Sequence, residues 1–208
     1  MKTKISKMIV KIVFGLLITL LVVISILVII YLTPFPKKDV ICVNIPSEFI
    51  ITKPNFFETQ GYNECAAYAT AYVLRSLGKD TNGDKIYKNM KYKLPLLGIV
   101  PSKGIIDTFK SYNIKATYYK GDINTLKMRV SQNIPVILYI GENIKWEHFI
   151  TLVGYENSSS KIYVYDSLLE DDSNGEAPGN KTLTEDDLLK VWDNGLPVLN
   201  HTYIAVDV

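Results

Sequence analysis

Four residues in the middle of the chain carry the groups that a cysteine nucleophile requires. They are Gln60, Cys65, His148 and Asp166. Such a nucleophile needs a stabilised thiolate, a base within hydrogen-bond reach and donors for the oxyanion that develops on the attacked carbonyl. Cysteine supplies the attack, histidine the base, and aspartate orients the imidazole, while a glutamine amide can donate to the oxyanion. The set therefore predicts thiol-dependent acyl chemistry.

The nucleophile is expected in the first turn of a helix. Asn63 is a suitable N-cap, Cys65 opens an Ala-rich apolar stretch, and Gly78 is a typical C-terminal stop. Unpaired amides and the helix dipole favour a thiolate at that position. Gln60 lies five residues upstream in the entering loop, where its amide can turn towards the same point. With the Cys65 backbone N–H it would form an oxyanion hole.

The base and its orienting acid are expected at one edge of a sheet. Residues 148–155 and 161–166 are rich in β-branched and aromatic residues and are separated by Asn157-Ser158-Ser159-Ser160. A hairpin turn there places the outer ends of the two strands side by side. Asp166 can then orient the ring of His148.

The remaining pattern places helices first and strands afterwards. Apolar periodicity predicts helices over 85–90, 101–112 and 122–132, and strands over 115–119, 134–140 and 202–206. This order indicates an α+β domain in which the helix carrying the cysteine packs on an antiparallel sheet carrying the histidine and aspartate.

The N-terminal part of the chain predicts a membrane anchor. Residues 12–32 hold no charge, and 21 apolar or small residues match a hydrocarbon core of about 30 Å. A signal peptide is the competing interpretation, but its apolar region is about 7–15 residues and precedes a small-x-small cleavage site. Residues 33–38 offer no such site. The predicted organisation is a cytoplasmic N-terminus (1–11), an anchor (12–32), a Pro-punctuated stalk (33–50) and a globular domain that carries the four candidate residues (51–208).

Charge gives the orientation and excludes one class of partner. Four lysines precede the apolar run and two follow it, so the positive-inside rule predicts a single-pass protein of the cell membrane with its catalytic domain outside the cytoplasm. After Leu32 there are 19 bases and 21 acids, a net charge of −2. Nothing resembles the basic stripe that a nucleic-acid partner needs.

Other candidate residues fit simpler interpretations. Cys42 lies in the stalk and is interpreted as a bystander, since a Cys42–Cys65 bridge would silence the nucleophile. His201 is the rival base, but no acid ends a hairpin partner beside it. Asp80–Asp84 imitates the start of a calcium loop, with its glycine too early and Lys91 where a bidentate glutamate belongs. We interpret it as a turn, and expect no metal.

At this point a family resemblance becomes specific. The run QGYNECAAYATAYVLRSLG, residues 60–78, resembles the N-terminal motif of the peptidase C39-like branch of the papain-like superfamily. That branch includes domains that cut bacteriocin leader peptides after a double glycine. Residues 148–155 and 161–167 resemble its His and Asp blocks, and 101–112 and 133–140 its intervening blocks.

The resemblance implies a papain-like fold, no metal or organic cofactor, and cleavage of a peptide bond in a peptide or protein substrate. By matched position it implies Cys65 as nucleophile, His148 as base, Asp166 as orienter and Gln60 in the oxyanion hole. Ala66 and Ser167 depart from the family, which often has Gly and Pro there. No Walker-type loop occurs, so an exporter would be a separate partner. Acyl transfer and a catalytically silent adaptor remain alternatives to hydrolysis.

Overall fold

Helices dominate the first half of the chain and strands the second. A computed structural model describes residues 2–40, 44–142, 146–169, 178–193 and 199–207. The helices in these residues are α1 (Lys2–Leu32), α2 (Cys65–Ser76), α3 (Gly83–Asn89), α4 (Ser102–Ser111), α5 (Ile123–Val130) and α6 (Glu185–Trp192). The strands are β1 (Lys37–Lys38), β2 (Glu48–Ile50), β3 (Ala116–Lys120), β4 (Val136–Gly141), β5 (Glu147–Glu156), β6 (Lys161–Tyr165), β7 (Lys181–Thr184) and β8 (Thr202–Val206).

The described strands form one sheet in the order β1-β3-β8-β4-β5-β6-β7, with β2 added on β5. All neighbours pair antiparallel except β1 with β3. β5 and β6 form a hairpin in which Glu156 pairs with Lys161 and Thr151 with Tyr165. Because the strands are antiparallel, the first residues of β5 and the residue after β6 lie at the same edge of the sheet.

Helices cover both faces of the sheet, and the residues of β4 show this because they alternate between two apolar clusters. Ile137 and Tyr139 belong to the apolar cluster that contains the buried side of α2. Val136, Leu138 and Ile140 belong to a second cluster with residues of α5 and α6. Since neighbouring residues of a strand point to opposite faces, β4 is buried on both sides and reads as a continuous apolar run.

The start of α2 differs from its prediction. Glu64, and not Asn63, is the N-cap, and no side-chain hydrogen bond caps the helix. Asn63 has a φ of 59°, in the left-handed region that Asn tolerates better than most residues, and its amide donates to the carbonyl of Leu97 at 2.9 Å. The Glu64 carboxylate instead accepts from the backbone N–H of Gly61 at 2.9 Å. The loop that enters the helix is thus held by the side chains of the two residues directly before Cys65.

Residues 33–50, suggested by the sequence as a stalk, contribute β1 and β2 to the sheet. Between these strands, Asp39 is buried and accepts two hydrogen bonds of 2.8 Å from the guanidinium of Arg129. The hydroxyl of Tyr203 donates to the same carboxylate. These contacts join the segment to α5 and β8, so its described parts pack with the domain. Cys42 lies outside the described residues.

Helix α1 is long and apolar enough to cross a membrane. Its stretch Lys7–Leu32 has a mean hydropathy of 3.3, and none of its most apolar window is buried against the rest of the protein. A signal sequence near an N-terminus has the same properties. The last turn of α1 touches the domain: the rings of Tyr31 and Tyr92 meet edge to face at 5.9 Å, and Lys103 Nζ lies 5.1 Å from the Tyr31 ring centre.

Candidate active site

Cys65 is the first residue of α2 and its thiol is free. The side chain is half-buried, whereas the next residues, Ala66 to Leu74, are fully buried. The helix therefore sinks into the core directly behind the cysteine and leaves the sulfur at its exposed end. A thiol in this position can reach a solvent-filled space while the helix behind it stays fixed.

His148 is buried near the start of β5 and faces two partners. Its Nε2 lies 2.8 Å from Oδ1 of Asp166. Cys65 lines the same cavity as His148, and its side chain helps to raise the pKa of the imidazole. Because Nε2 is engaged by the carboxylate, Nδ1 is the nitrogen available to the sulfur. Cys65, His148 and Asp166 thus form one connected set through the ring.

The charges in this set support one another. Burial favours the neutral imidazole, but the hydrogen bonds to Asp166 and Cys65 outweigh it and raise the pKa of His148 to about 9. Burial also opposes ionisation of Asp166, but the hydrogen bond from His148 and the His148 and Lys181 cations lower the pKa of that carboxyl to about 2. At neutral pH the ring is therefore cationic and the carboxylate anionic.

The residues that hold Asp166 were not predicted from the sequence. Lys181 Nζ lies 3.0 Å from Asp166 Oδ2. The amide of Asn180 accepts from the Asp166 backbone N–H at 2.8 Å and donates to its carbonyl at 2.9 Å. The sequence signal near Asn180 and Lys181 is Gly179. A Cβ at that position would lie 2.2 Å from the carbonyl oxygen of Val164, so only glycine lets the chain pass so close to β6. Fixing both the backbone and the carboxylate of Asp166 fixes the ring that it contacts.

Gln60 reaches the set through Ser167. Its Oε1 accepts a hydrogen bond of 2.7 Å from the Ser167 hydroxyl, and its backbone N–H donates to the Ser167 carbonyl at 2.8 Å. The Nε2 group donates to the Gly61 carbonyl at 3.2 Å, a weak contact. The loop before α2 is therefore fastened to the residue that follows Asp166.

The loop that carries Gln60 has a second anchor at Glu58. The Glu58 carboxylate pairs with the guanidinium of Arg75 on α2 and accepts from the backbone N–H of Gly83 at 3.1 Å. Its carbonyl accepts from the Tyr165 hydroxyl at 2.6 Å, immediately before Asp166. The position of Gln60 relative to Cys65 is thus set by contacts to both the helix and the sheet.

A cavity of about 600 Å³ lies against Cys65 and His148. Its walls include the aromatic residues Tyr62, Tyr118, Tyr139 and Trp146, and the acid Glu147. Burial raises the pKa of the Tyr139 phenol, and the exposed Glu147 raises it further. The space is large enough for part of an extended peptide, and most of its wall is apolar.

The rival base lies elsewhere. The ring of His201 packs on Trp192 at 4.9 Å between ring centres, and its backbone has a φ of 56° before β8. It does not line the cavity at Cys65. Its surroundings are those of a packing residue at the start of a strand.

Comparison with known proteins identifies the architecture. The model of the Peptidase_C39 like family matches residues 44–195. A double glycine motif protease from an AMS/PCAT transporter, solved with its leader peptide, superimposes with a TM-score of 0.52 at 15% identity, covering 76% of this chain and 92% of that one. The peptidase domain of Streptococcus ComA, a bi-functional ABC transporter involved in quorum sensing, gives 0.52 at 13% identity over 72% and 95%.

A third solved structure has a similar fold. A structure that explains antibody cross-reactivity between the mite allergens Blo t 1 and Der p 1 gives a TM-score of 0.54 at 14% identity, covering 86% of this chain and 77% of that one. No curated protein sequence matches the chain significantly. At these identities the solved structures show the fold alone, and with the family match they confirm the predicted papain-like α+β architecture.

Proposed function

Because the chain belongs to the peptidase C39-like family, we propose that it is a cysteine peptidase with Cys65 as nucleophile and His148 as base. The observation that carries the proposal is the imidazole of His148, which hydrogen-bonds Asp166 at 2.8 Å and lines the same cavity as the free thiol of Cys65. An inert core cysteine would be closed off by packing, whereas Cys65 is half-buried and lines a cavity together with the ring.

The reaction begins with a thiolate–imidazolium pair. The Cys65 sulfur attacks the carbonyl carbon of the scissile bond, and the carbonyl oxygen takes the electron pair and becomes an oxyanion. His148 gives its proton to the departing amine nitrogen as the C–N bond breaks, which leaves a thioester on Cys65. Water then attacks the thioester while His148 takes a proton from it. When the carboxylic acid product leaves, the thiolate and the protonated ring are present again as at the start. Asp166 keeps the ring in place throughout.

The oxyanion would be stabilised by Gln60 and the backbone N–H of Cys65. Since the Ser167 hydroxyl donates to Oε1 of Gln60, the side-chain amide is oriented with its NH₂ group free to donate elsewhere. The weak contact of Nε2 to Gly61 can be exchanged for a stronger, charge-assisted bond when the oxyanion forms. Preorganised donors of this kind cost no reorganisation at the moment of reaction.

We further propose that α1 stays attached as a membrane anchor, with the N-terminus in the cytoplasm and the domain outside. The Tyr31 contact with Tyr92 and Lys103 supports retention, because cleavage after the apolar run would discard it. A peptide or protein is the proposed substrate, and a separate exporter stays a predicted partner. The two transporter-derived relatives are similar to this domain in fold only.

Thiol labelling tests the nucleophile without knowledge of the substrate. In the full-length protein carrying Cys42→Ala, Cys65 should react with iodoacetamide at pH 7 at least about tenfold faster than a model thiol, of which only a few per cent is thiolate at that pH. The matched variant His148→Ala should bring the rate down to that of the model thiol. A Cys65 that reacts no faster than the model thiol with His148 intact would refute the proposal.

Products distinguish the enzyme from its alternatives. Cells expressing the wild type and Cys65→Ala can be compared for new protein termini by mass spectrometry. Hydrolysis leaves a free carboxylate at the new C-terminus, whereas acyl transfer leaves that carboxyl joined to an amine or thiol. If Cys65→Ala changes neither termini nor phenotype, the domain is an adaptor.

A further inference from the structure

The cavity beside Cys65 has the end of helix α1 as one of its walls. Val28, Ile29, Leu32 and Thr33 line the same space as Cys65 and His148. Val28 and Ile29 are at the same time exposed on the outside of the protein, like the rest of the apolar helix. The candidate active site and the surface proposed to face lipid are therefore continuous.

The length of α1 sets the height of this wall relative to a bilayer. The uncharged run from Ile12 to Leu32 has 21 residues, about 32 Å at helical rise, which matches a hydrocarbon core of about 30 Å. With Lys11 at one boundary, Leu32 lies at the other, and Val28 and Ile29 lie about one helical turn deeper, roughly 5 Å. The cavity thus reaches the level at which hydrocarbon gives way to headgroups.

The rim of the cavity has the composition of a membrane-interface surface. Of the residues that line it, Tyr62 is 82% exposed, and Leu97 and Trp146 are 50% and 41% exposed. Leu96, next to Leu97 in the chain, is fully exposed. Clustered large apolar side chains are costly in water and mark contact with a membrane or another protein. Tyr31, Tyr92 and Lys103 group at the same end of α1, and aromatic and lysine side chains are the usual anchors at a bilayer surface.

We infer that the active-site cleft opens onto the membrane surface, and that its substrate is the segment of a membrane-anchored protein or peptide directly outside its own membrane span. The inference rests on the proposed function. Such a segment leaves the bilayer beside α1 and enters the cavity without crossing the apolar rim from water. Confinement to the same bilayer also raises the effective concentration of the substrate at the site, which favours it over a soluble peptide of equal sequence.

A lipid-borne thiol reagent tests the geometry. Full-length protein with Cys42→Ala is placed in nanodiscs that contain a maleimide-headgroup phospholipid, and the rate of adduct formation at Cys65 is divided by its rate with a soluble maleimide. The ratio removes the intrinsic reactivity of the thiol, so the outcome does not depend on whether Cys65 is catalytic.

The matched control moves the thiol away from the cavity, to the turn beyond the far end of β5. A chain with Cys42→Ala, Cys65→Ala and Ser159→Cys carries its thiol on the exposed β5–β6 turn, about 27 Å from His148 along β5. We expect the lipid-to-soluble rate ratio to be at least tenfold higher for Cys65 than for this control. Equal ratios would overturn the inference, even for a protein whose Cys65 is highly reactive.

The substrate class has its own test. Termini that depend on Cys65 should lie within about ten residues of a membrane span, roughly the length of chain needed to leave the headgroup region. Termini spread through soluble proteins outside the cytoplasm would overturn the inference and still support a peptidase. A site that binds a lipid acyl chain and yields no terminus would contradict both proposals.

Discussion

The hydroxyl of Ser167 donates a 2.7 Å hydrogen bond to Oε1 of Gln60. Ser167 is buried and directly follows Asp166, while Gln60 lies in the loop before the cysteine helix. The bond therefore couples the segment that holds the imidazole to the segment proposed to hold the oxyanion. It also selects the rotamer of the Gln60 amide, because a hydroxyl that donates must meet the oxygen and not the NH₂.

The proposed oxyanion donor can be tested by a ligand that forms an oxyanion. A peptide aldehyde that inhibits the wild type adds to Cys65 and places an oxygen at the oxyanion position. Gln60→Ala should weaken its binding about 10²-fold, the usual cost of removing one such donor. The iodoacetamide rate of Cys65 should stay the same, because alkylation develops no oxyanion. Equal loss in both measurements would point to a general disturbance of α2.

Ser167 should act only through Gln60. Ser167→Ala frees the amide to rotate while the backbone bond between the two residues remains, so aldehyde binding should weaken about tenfold, less than in Gln60→Ala. In Gln60→Ala the additional Ser167→Ala change should have no further effect, since neighbours that act through one group are not additive. The exposed Ser159→Ala is the control. Additive losses would assign Ser167 a different role.

Titration of His148 tests the paired charges. NMR of the ring should give a pKa of about 9. Asp166→Asn should lower the pKa of His148, because the buried ring then loses the negative charge that stabilises its cationic form. Cys65→Ala should also lower it, because it removes the other side chain that raises this pKa. The signal is assigned with His201→Asn, which suits the left-handed backbone at that position. An unchanged pKa in Asp166→Asn would mean that the 2.8 Å contact does not control the ring.

The same pKa values predict how stability depends on pH. His148 has a raised folded-state pKa, so its stabilising contribution is complete below about 6.5 and is lost as pH rises through about 9. The folded-state pKa of Asp166 is lowered, so its stabilising contribution is present above about pH 3.8 and is lost as the pH falls through about 2. The stability difference between wild type and His148→Gln, from urea unfolding, should therefore shrink as pH rises from about 6.5 to about 9. A difference that grows there would reverse the assigned sign.

The buried pair of Asp39 and Arg129 should be a large contributor to the stability of the domain. Asp39→Ala leaves the guanidinium without its carboxylate and should lower the free energy of unfolding by about 3–5 kcal/mol. Adding Arg129→Ala should recover part of this loss. Lys115→Ala is the control, because its exposed ion pair with Asp207 should contribute less than about 1 kcal/mol. A loss no larger than that of the control would return residues 33–40 to the status of a stalk.

The parts of the site that depend on local pattern could be predicted from the sequence. The β5–β6 hairpin follows from two β-rich runs and a polar turn, and that hairpin alone brings the start of one strand to the end of the next. The capping box of α5 at Asp122 follows equally from local chemistry. Both are decided within about 20 residues of chain, where propensity and turn residues dominate.

The remaining parts depend on contacts between segments far apart in the chain. Asn180 and Lys181 contact Asp166 from 14 and 15 residues further along the chain, and no periodicity in the sequence indicates these contacts. Strand β7 alternates between half-buried and exposed residues at the sheet edge, so its pattern resembles that of a loop. The stalk prediction rested on prolines, which do not reveal that Asp39 between them meets Arg129, 90 residues away.

The short connection between α1 and β1 limits where the domain can be. Four residues separate Leu32 from Lys37, and four residues span at most about 14 Å. Since β1 is hydrogen-bonded into the sheet, no long flexible linker separates α1 from the domain. In the proposed enzyme, every cleavage would then occur at one fixed height above the lipid. The number of residues between the membrane span of a substrate and its scissile bond would therefore determine whether it is cleaved, whatever the side chains around that bond.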